Sequence, residues 1–476
     1  MRPLPSLGGL WILALLLGGC SQEPPYGTNS QDAIVAYDEG LENFEKFYYT
    51  EALKAFERAT EADSGFAIAW ARMAQIHFRT QNHGEARNAI ARALDFSGRA
   101  TRREAFYIRM FNHLVQYSFD SAAAVSDSLL EEYPEDAEAY LQRGFLFEIS
   151  RDYEKAIQMY QRATELDTAY AQAFMSLGYA YSSIGEQDKA LAFMKRYIRL
   201  APEAGDPRAS YGDLLVRVGR YEEALDQYQK SLEIKPDYWY SMQQIARVYA
   251  VMGRLRESDG YMQKAIALLP PTVNRDVMTL TTRAGFDMSR GQYSKAAEKY
   301  TKVLAIDSLN GSAAYGLCGA LTRLDNPADA RLVLSGILNE LGRRNLLGSP
   351  AMLDYYLMRS RIALVEGDLP GARTDCDTAL SYATLLARPY VYRQIAEIDL
   401  RAEDFESALT ACEEALSVNP REPLMLLTLT RVYHAMGDVG MVREIGSRLT
   451  EFWADADPEF VHLRELRRML GRAATA

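Results

Sequence analysis

An alanine returns about every thirty-four residues along this chain, at Ala52, Ala86, Ala122, Ala156, Ala190, Ala224, Ala296, Ala330, Ala372 and Ala408. Ser258 and Val442 fill the same register. Most copies carry an apolar residue four positions later, as in Ala52/Phe56, Ala156/Tyr160, Ala224/Tyr228 and Ala296/Tyr300. Four positions are one helical turn, so each pair lies on one face of a helix. A small residue at a fixed point, recurring with this period, describes stacked helical hairpins. One hairpin cannot bury its own apolar face, but neighbours in a stack cover one another. A chain of 476 residues can then be all-α without a single central core.

The fullest copy reads Phe174-x-x-Leu177-Gly178-x-x-Tyr181, followed by Ala190 and Pro202. Trp70, Met73, Ala74, His77 and Ala86 repeat it, as do Tyr140, Gly144, Phe147, Ala156, Tyr160 and Ala163. Gly212, Ala224, Tyr228 and Pro236 make a further copy; Met242, Ala246, Tyr249, Ala265 and Pro270 make another. This pattern resembles the tetratricopeptide repeat (TPR). The resemblance implies a right-handed α-solenoid of about twelve helix-turn-helix units, with ligands held on the concave side lined by first helices. Small residues such as Gly40, Gly144, Gly178 and Gly212 would let the second helix of the same hairpin approach closely. Gly185, Gly219, Gly253, Gly291, Gly367 and Gly437 follow helical runs and suit left-handed helix C-caps. The array is expected over 33–270 and, continuous with it, 271–450. Longer marker spacings fall between Ser258 and Ala296 and between Ala330 and Ala372, and are read as lengthened loops or helix ends. Residues 451–476 read as a capping helix and tail: Phe460, Leu463, Leu466 and Leu470 cover the last hairpin, while Arg464, Glu465, Arg467, Arg468 and Arg472 face elsewhere.

Residues 1–19 read as a secretory leader, with Arg2 ahead of an apolar run from Leu10 to Leu17. That run is too short for a permanent membrane span, which needs about 20 residues. Leu17-Gly18-Gly19-Cys20 resembles the lipobox of bacterial lipoproteins. The resemblance implies cleavage before Cys20, its acylation, and anchoring to a membrane through lipid. Ser21 after the anchor favours the outer membrane, facing the periplasm. Residues 20–32, polar and broken by Pro24-Pro25 and Gly27, read as a flexible tether with a reach of about 35 Å.

The formal charge of −11 sets up a field that repels phosphate backbones, so no nucleic-acid partner is expected. Cys376 and Cys412 fall at equivalent points of consecutive repeats, about 8–10 Å apart on stacked helices, too far for a disulfide. They are expected as buried thiols, and Cys318 as a small packing residue. The five histidines are scattered; of His77 and His83, which straddle a predicted helix-turn, one is expected to pack and the other to be exposed. No HExxH, GxSxG or GxxxxGK[ST] motif occurs, so no catalytic residue, metal site or cofactor is expected and the chain is not read as an enzyme.

The function then rests on the inner surface. With each small residue as phase marker, the early first helices present Tyr37, Leu41, Phe44, Tyr107, Phe111, Phe145, Met175 and Tyr179. Later ones present Arg217, Arg247, Arg323, Arg361, Arg393, Arg401 and Arg431. Guanidinium forks match carboxylates, and aromatics anchor interfaces, so these positions form a candidate peptide-binding groove for acidic or C-terminal segments of a protein partner. A second reading has the aromatics packing between adjacent first helices and the arginines pairing internally with Glu or Asp. An envelope-anchored scaffold supporting assembly of a cell-envelope complex fits these features. The alternatives are a glycan-uptake lipoprotein partnering an outer-membrane transporter, and a TPR sensor or regulatory adaptor.

Overall fold

The computed structural model describes residues 26–80, 82–269, 274–343, 347–349 and 351–475. The leader 1–19, Cys20 and the Pro270 signal lie outside them. Among the described residues there are 25 α-helices and no strands, and no helix is long and apolar enough to cross a membrane. The chain forms two compact units that divide between Tyr133 and Pro134.

The first unit holds α1 (Gln31–Glu45), α2 (Tyr49–Ala62), α3 (Ala67–Arg79), α4 (His83–Asp95), α5 (Arg102–Val115) and α6 (Phe119–Glu132). The second opens with α7 (Ala137–Ile149), α8 (Tyr153–Leu166), α9 (Ala171–Ser183), α10 (Gln187–Leu200), α11 (Asp206–Arg217), α12 (Tyr221–Ile234), α13 (Trp239–Val251) and α14 (Leu255–Ala267). It continues with α15 (Arg275–Arg290), α16 (Tyr293–Ile306), α17 (Gly311–Arg323), α18 (Pro327–Arg343), α19 (Met352–Glu366) and α20 (Leu369–Tyr382). It ends with α21 (Arg388–Arg401), α22 (Phe405–Val418), α23 (Pro423–Met436), α24 (Val439–Phe452) and α25 (Val461–Thr475). The fold is the all-α solenoid of helix hairpins that the period implies.

The repeat chemistry works as the sequence suggests. All ten marker alanines have no exposed surface. The apolar residue one turn later packs on the small residue of the partner helix: a Cβ added at Gly212 would lie 2.7 Å from the Tyr228 ring. Fully burying such a side chain stabilises by about 1.5–3 kcal/mol, and the small residue is what makes room for it. The six expected turn glycines all have φ between +74° and +86°, the left-handed region open to glycine. The extra spacing appears partly as helix: α15 has 16 residues and α18 has 17, against 14 in α16. Cys318, Cys376 and Cys412 are free and buried, His77 is buried and His83 exposed.

Two expectations about shape change. Residues 26–30, read as tether, are fastened to the first unit. The Tyr26 hydroxyl donates to Asp38 at 2.7 Å, the Gly27 N–H to Glu104 at 3.0 Å and the Thr28 hydroxyl to Asp63 at 2.6 Å. Glu104 is itself locked as the third residue of a capping box with Thr101 at the start of α5. Tyr26 also packs edge-on against Tyr37 and Phe66.

The second change is in the later repeats, where the first helices close into a ring rather than an open groove. α15, α17, α19, α21, α23 and α25 pack each on the next, and α25 returns to α15. The hairpin turns of the middle repeats seal the closure. Arg151 donates to the Tyr382 carbonyl at 2.8 Å. Gly219 abuts Asn419 and Arg421, Gly253 abuts Ala456 and Phe460, and Gly291 abuts Val461. The Trp453 indole donates to the Val251 carbonyl at 3.1 Å, and Asp457 receives the Arg256 N–H at 3.0 Å while giving its own N–H to the Gly253 carbonyl. Beneath these bonds Leu255 and Phe286 share one buried cluster with Leu427, Trp453, Phe460 and Leu463. A Cβ at Gly253 would fall 2.6 Å from Phe460, so glycine serves both the turn and the seam. The capping helix is confirmed on its apolar side, where Phe460, Leu463 and Leu466 are buried. Its polar side has a use described next.

Candidate functional site

The ring encloses a cavity of about 1060 Å³, within the size range of ligand pockets. Arg290, Arg323, Arg361, Arg393, Arg401, Arg431, Arg464 and Arg468 line it, against two carboxylates, Glu397 and Glu465. The formal charge of the chain is negative, so this is a strong local reversal of sign. Five of the seven arginines read from the sequence meet here. Arg217 and Arg247 do not: Arg217 donates to the Ser182 hydroxyl and lies over the Tyr179 ring, while Arg247 is exposed and bonds Gln244.

Six of the eight arginines fall into two sets; of the others, Arg290 pairs with Glu459 at 3.9 Å and Arg323 lies over the Tyr293 ring. Arg431 donates to Glu465 at 2.7 and 2.9 Å and to Glu397 at 3.3 Å. Arg361 donates to the Tyr315 hydroxyl at 2.9 Å and lies 4.8 Å from the centre of that ring. Arg464 donates to the Arg290 carbonyl across the α15–α25 seam. These hold the ring. Among the described residues, Arg393, Arg401 and Arg468 have no ion pair or hydrogen bond; Arg401 and Arg468 are exposed and Arg393 half-buried. Guanidinium groups stay charged at any physiological pH. Gathered on one concave wall, they repel one another unless an anion enters.

Two neutral groups complete the wall. Gln394 is 3% exposed; its Oε1 faces Arg361, and its Nε2 has no partner. An unpaired buried amide costs about 1–3 kcal/mol. His462 stacks on Trp453, and its Nδ1 is also unpaired. Burial, then the nearby Arg431, push its pKa down to about 4, so it is neutral near pH 7. Burial acts to raise the Glu465 pKa, but the Arg431 bonds outweigh it and the net shift is downward, keeping that carboxylate ionised.

Arg290 and Gln394 are absent from the sequence reading, which takes Arg464 and Arg468 only as the polar side of the capping helix and His462 only as one of the scattered histidines. The signal for Arg464 and Arg468 was available: applying the first-helix phase to α25, instead of treating it only as a lid, turns them inward. Arg290 and Gln394 follow no marker that the repeat supplies.

Tyr37, Phe44, Tyr107 and Phe111, half of the aromatic stretch of the expected groove, are core. Tyr37, Tyr107 and Phe111 are 2%, 1% and 1% exposed. They pack there because Arg72, itself 3% exposed, sits 5.5 Å from the centres of the Tyr107 and Phe111 rings and donates to the Tyr37 hydroxyl; ring faces and a hydroxyl stabilise that buried cation. Phe44 is likewise buried, with Arg79 over its ring. Leu41, Phe145, Met175 and Tyr179 are half-buried, and the Tyr179 hydroxyl donates to Asp213.

That last bond belongs to a cluster with no signature in the sequence. Asp213 accepts from Tyr179, Tyr228, Tyr240 and Gln244. Asp206 accepts from Tyr197, Tyr238 and Ser210. Asp213 takes four donors and Asp206 three, all from within the fold, so the cluster is structural. Burial raises Asp206 from 3.8 to about 6, against the pull of its hydroxyl partners. A carboxylate whose folded pKa lies above its unfolded value contributes stability below pH 3.8 that is lost as pH rises through about 6. The loss is on the order of 3 kcal/mol. Urea titrations should therefore show wild type losing stability between pH 4 and 7.5 relative to Asp206→Asn; parallel pH profiles for the two proteins would contradict this.

Family models described as TPR repeat or tetratricopeptide repeat match residues 32–101, 113–168, 152–185, 171–203, 208–238 and 287–345, together just over half of the chain. No curated protein matches it. Among solved structures, the chain is similar to MamA at 26% identity over 33% of this chain and 93% of that one, with a TM-score of 0.29. It is similar to a tetratricopeptide repeat protein from Parabacteroides merdae ATCC 43184 at 16% identity over 52% and 93%, with a TM-score of 0.41. MamA from Desulfovibrio magneticus RS-1 matches at 16% identity over 35% and 94%, with a TM-score of 0.30. Repeat period, hairpin packing and family models agree: this chain is a tetratricopeptide-repeat protein, built as a protein-interaction scaffold.

Proposed function

We propose that the chain is an envelope-anchored scaffold that captures an acidic segment of a partner protein in the arginine-lined ring. One observation carries this reading. Eight arginines and two glutamates line a single cavity, and among the described residues three of those guanidiniums, Arg393, Arg401 and Arg468, have neither an ion pair nor a hydrogen bond, while Arg323 has only the Tyr293 ring face. Clustered carboxylates supply what the cavity lacks, since bidentate guanidinium–carboxylate pairs are among the stronger hydrogen bonds. With Cys20 acylated, only residues 21–25 separate the lipid from Tyr26, where the fold begins to hold the chain. That leash spans at most about 20 Å, little more than half the reach expected of a free tether. Such a body would work close to the membrane surface and serve as a docking point for a neighbouring envelope protein.

The test is a fluorescence-anisotropy titration with a labelled acidic peptide. Wild-type protein should bind it, and the triple variant Arg393→Ala, Arg401→Ala, Arg468→Ala should not. Equal binding by both proteins would refute the assignment.

A further inference from the structure

The fastened segment 26–30 touches two neighbourhoods of opposite charge, and from this we infer which face of the first unit meets the membrane. It is the corner where α4 gives way to α5, seated on the phosphates of anionic lipid headgroups. This assignment rests on the anchoring through Cys20 proposed above and adds to it the face and the lipid. On α1 the exposed charges are acidic, at Asp32, Asp38, Glu39 and Glu42. The corner carries Arg92 in the last turn of α4, Arg99 in the short 3-10 turn Ser97–Arg99, and Arg102 and Arg103 at the start of α5. Asp95 is the single acid between residues 92 and 103.

The segment is pressed onto that corner. A Cβ added at Gly27 would lie 2.5 Å from the Arg99 carbonyl oxygen and 2.9 Å from the Ala100 Cα. Residues 21–25 then separate Tyr26 from Cys20, a reach of at most about 20 Å. A body leashed so closely must turn some face to the bilayer. Charges act there over about 10 Å at 0.1 M salt, so anionic headgroups repel α1 and attract the corner.

Arg99 and Arg102 are paired internally, with Asp63 and Glu132, but the pairs are layered. The two arginine side chains are 51% and 69% exposed, their carboxylate partners 14% and 26%. A phosphate arriving from outside meets the cations first. Glu104 lies buried beneath, its carboxylate taken up by the N–H groups of Gly27 and Thr101. Among the described residues the exposed Arg92 side chain has no ion pair or hydrogen bond. Leu94, 39% exposed, and the half-buried Phe96 add apolar surface among these charges. Basic and apolar side chains mixed in this way suit the headgroup layer. Between segment and corner lies a recess of about 390 Å³ lined by Tyr26, Gly27, Thr28, Asn29, Arg99 and Arg102, a size that admits one headgroup.

The experiment places the full, membrane-extracted chain in vesicles of phosphatidylcholine, alone or mixed with phosphatidylglycerol, after its N-terminal mass has been measured. A polarity-sensitive dye on Leu94→Cys reports the corner, and the same dye on Val35→Cys reports α1, where the side chain is 59% exposed. Each surface arginine contributes about five-fold to docking on an anionic bilayer. Emission at position 94 should therefore rise at least about two-fold when phosphatidylglycerol is present, with no change at position 35. Adding Arg92→Ala and Arg102→Ala, which leaves the Arg99–Asp63 pair in place, should cancel the rise without altering circular dichroism. An equal signal in both lipids, or a response at position 35 in place of 94, would overturn the choice of face while leaving the anchor standing. A mature N-terminus without acyl chains would overturn the anchor, and the choice of face with it.

Discussion

Trp453→Ala is expected to destabilise the second unit by about 4 kcal/mol, the largest effect of any single substitution considered for this chain. The indole has no exposed surface, and Trp→Ala truncations in cores cost about 3–5 kcal/mol through lost burial and the cavity left behind. The residue also joins distant repeats. Its N–H bonds the Val251 carbonyl, and its ring packs on Phe452, Phe460 and His462. In an unclosed repeat array each unit senses only its neighbours, so a terminal truncation would loosen the last hairpin and little else. In a ring the same loss also releases α13 and α14. Thermal unfolding followed by tryptophan-independent circular dichroism should show the larger effect, and Trp453→Phe, which keeps most of the burial, should recover most of it. A loss under about 1 kcal/mol for Trp453→Ala would show that the seam contributes little.

Removing Arg393, Arg401 and Arg468 together is expected to weaken acidic-peptide binding by more than a hundred-fold. Hydrogen bonds to charged groups contribute about 1.5–3 kcal/mol each, and these three guanidiniums have no internal partner to lose. Two such bonds already account for that factor, since about 1.4 kcal/mol is ten-fold. Stability should change by less than about 1 kcal/mol, in the stabilising direction as like-charge repulsion is relieved. Arg361 and Arg431 behave oppositely. Arg431→Glu would set a third carboxylate beside Glu397 and Glu465, and Arg361→Glu would lose the Tyr315 contact. Charge reversal there tests the fold more than the ligand, so the unpaired set is the informative one. Binding should also fall steeply with added salt, because exposed charges are screened over about 10 Å at 0.1 M.

How far the sequence reaches can be traced residue by residue. The marker alanines and the six turn glycines were readable because each acts on its own hairpin, at a distance of one turn or one cap. Arg323, Arg361, Arg393, Arg401 and Arg431 were readable by phase, because a first helix keeps a constant face inward. The closure was not. It depends on rotation accumulated over many repeats, and Gly219 and Gly253 look alike in sequence whether their outer side meets solvent, Arg421 or Phe460. Tyr37, Tyr107 and Phe111 misled because an aromatic one turn from a small residue has the same spacing in a groove as in a core; burial of Arg72 decides between them. Asp206 and Asp213 resemble solvated helix acids until the tyrosines of four different helices converge on them.

Amide hydrogen exchange of the full chain, with and without a saturating acidic peptide, tests the central claim most directly. Bound peptide should slow exchange in α21, α23 and α25 and along the α15–α25 seam, leaving α1–α6 unchanged. Protection confined to α1–α14, with none in the arginine ring, would contradict the account.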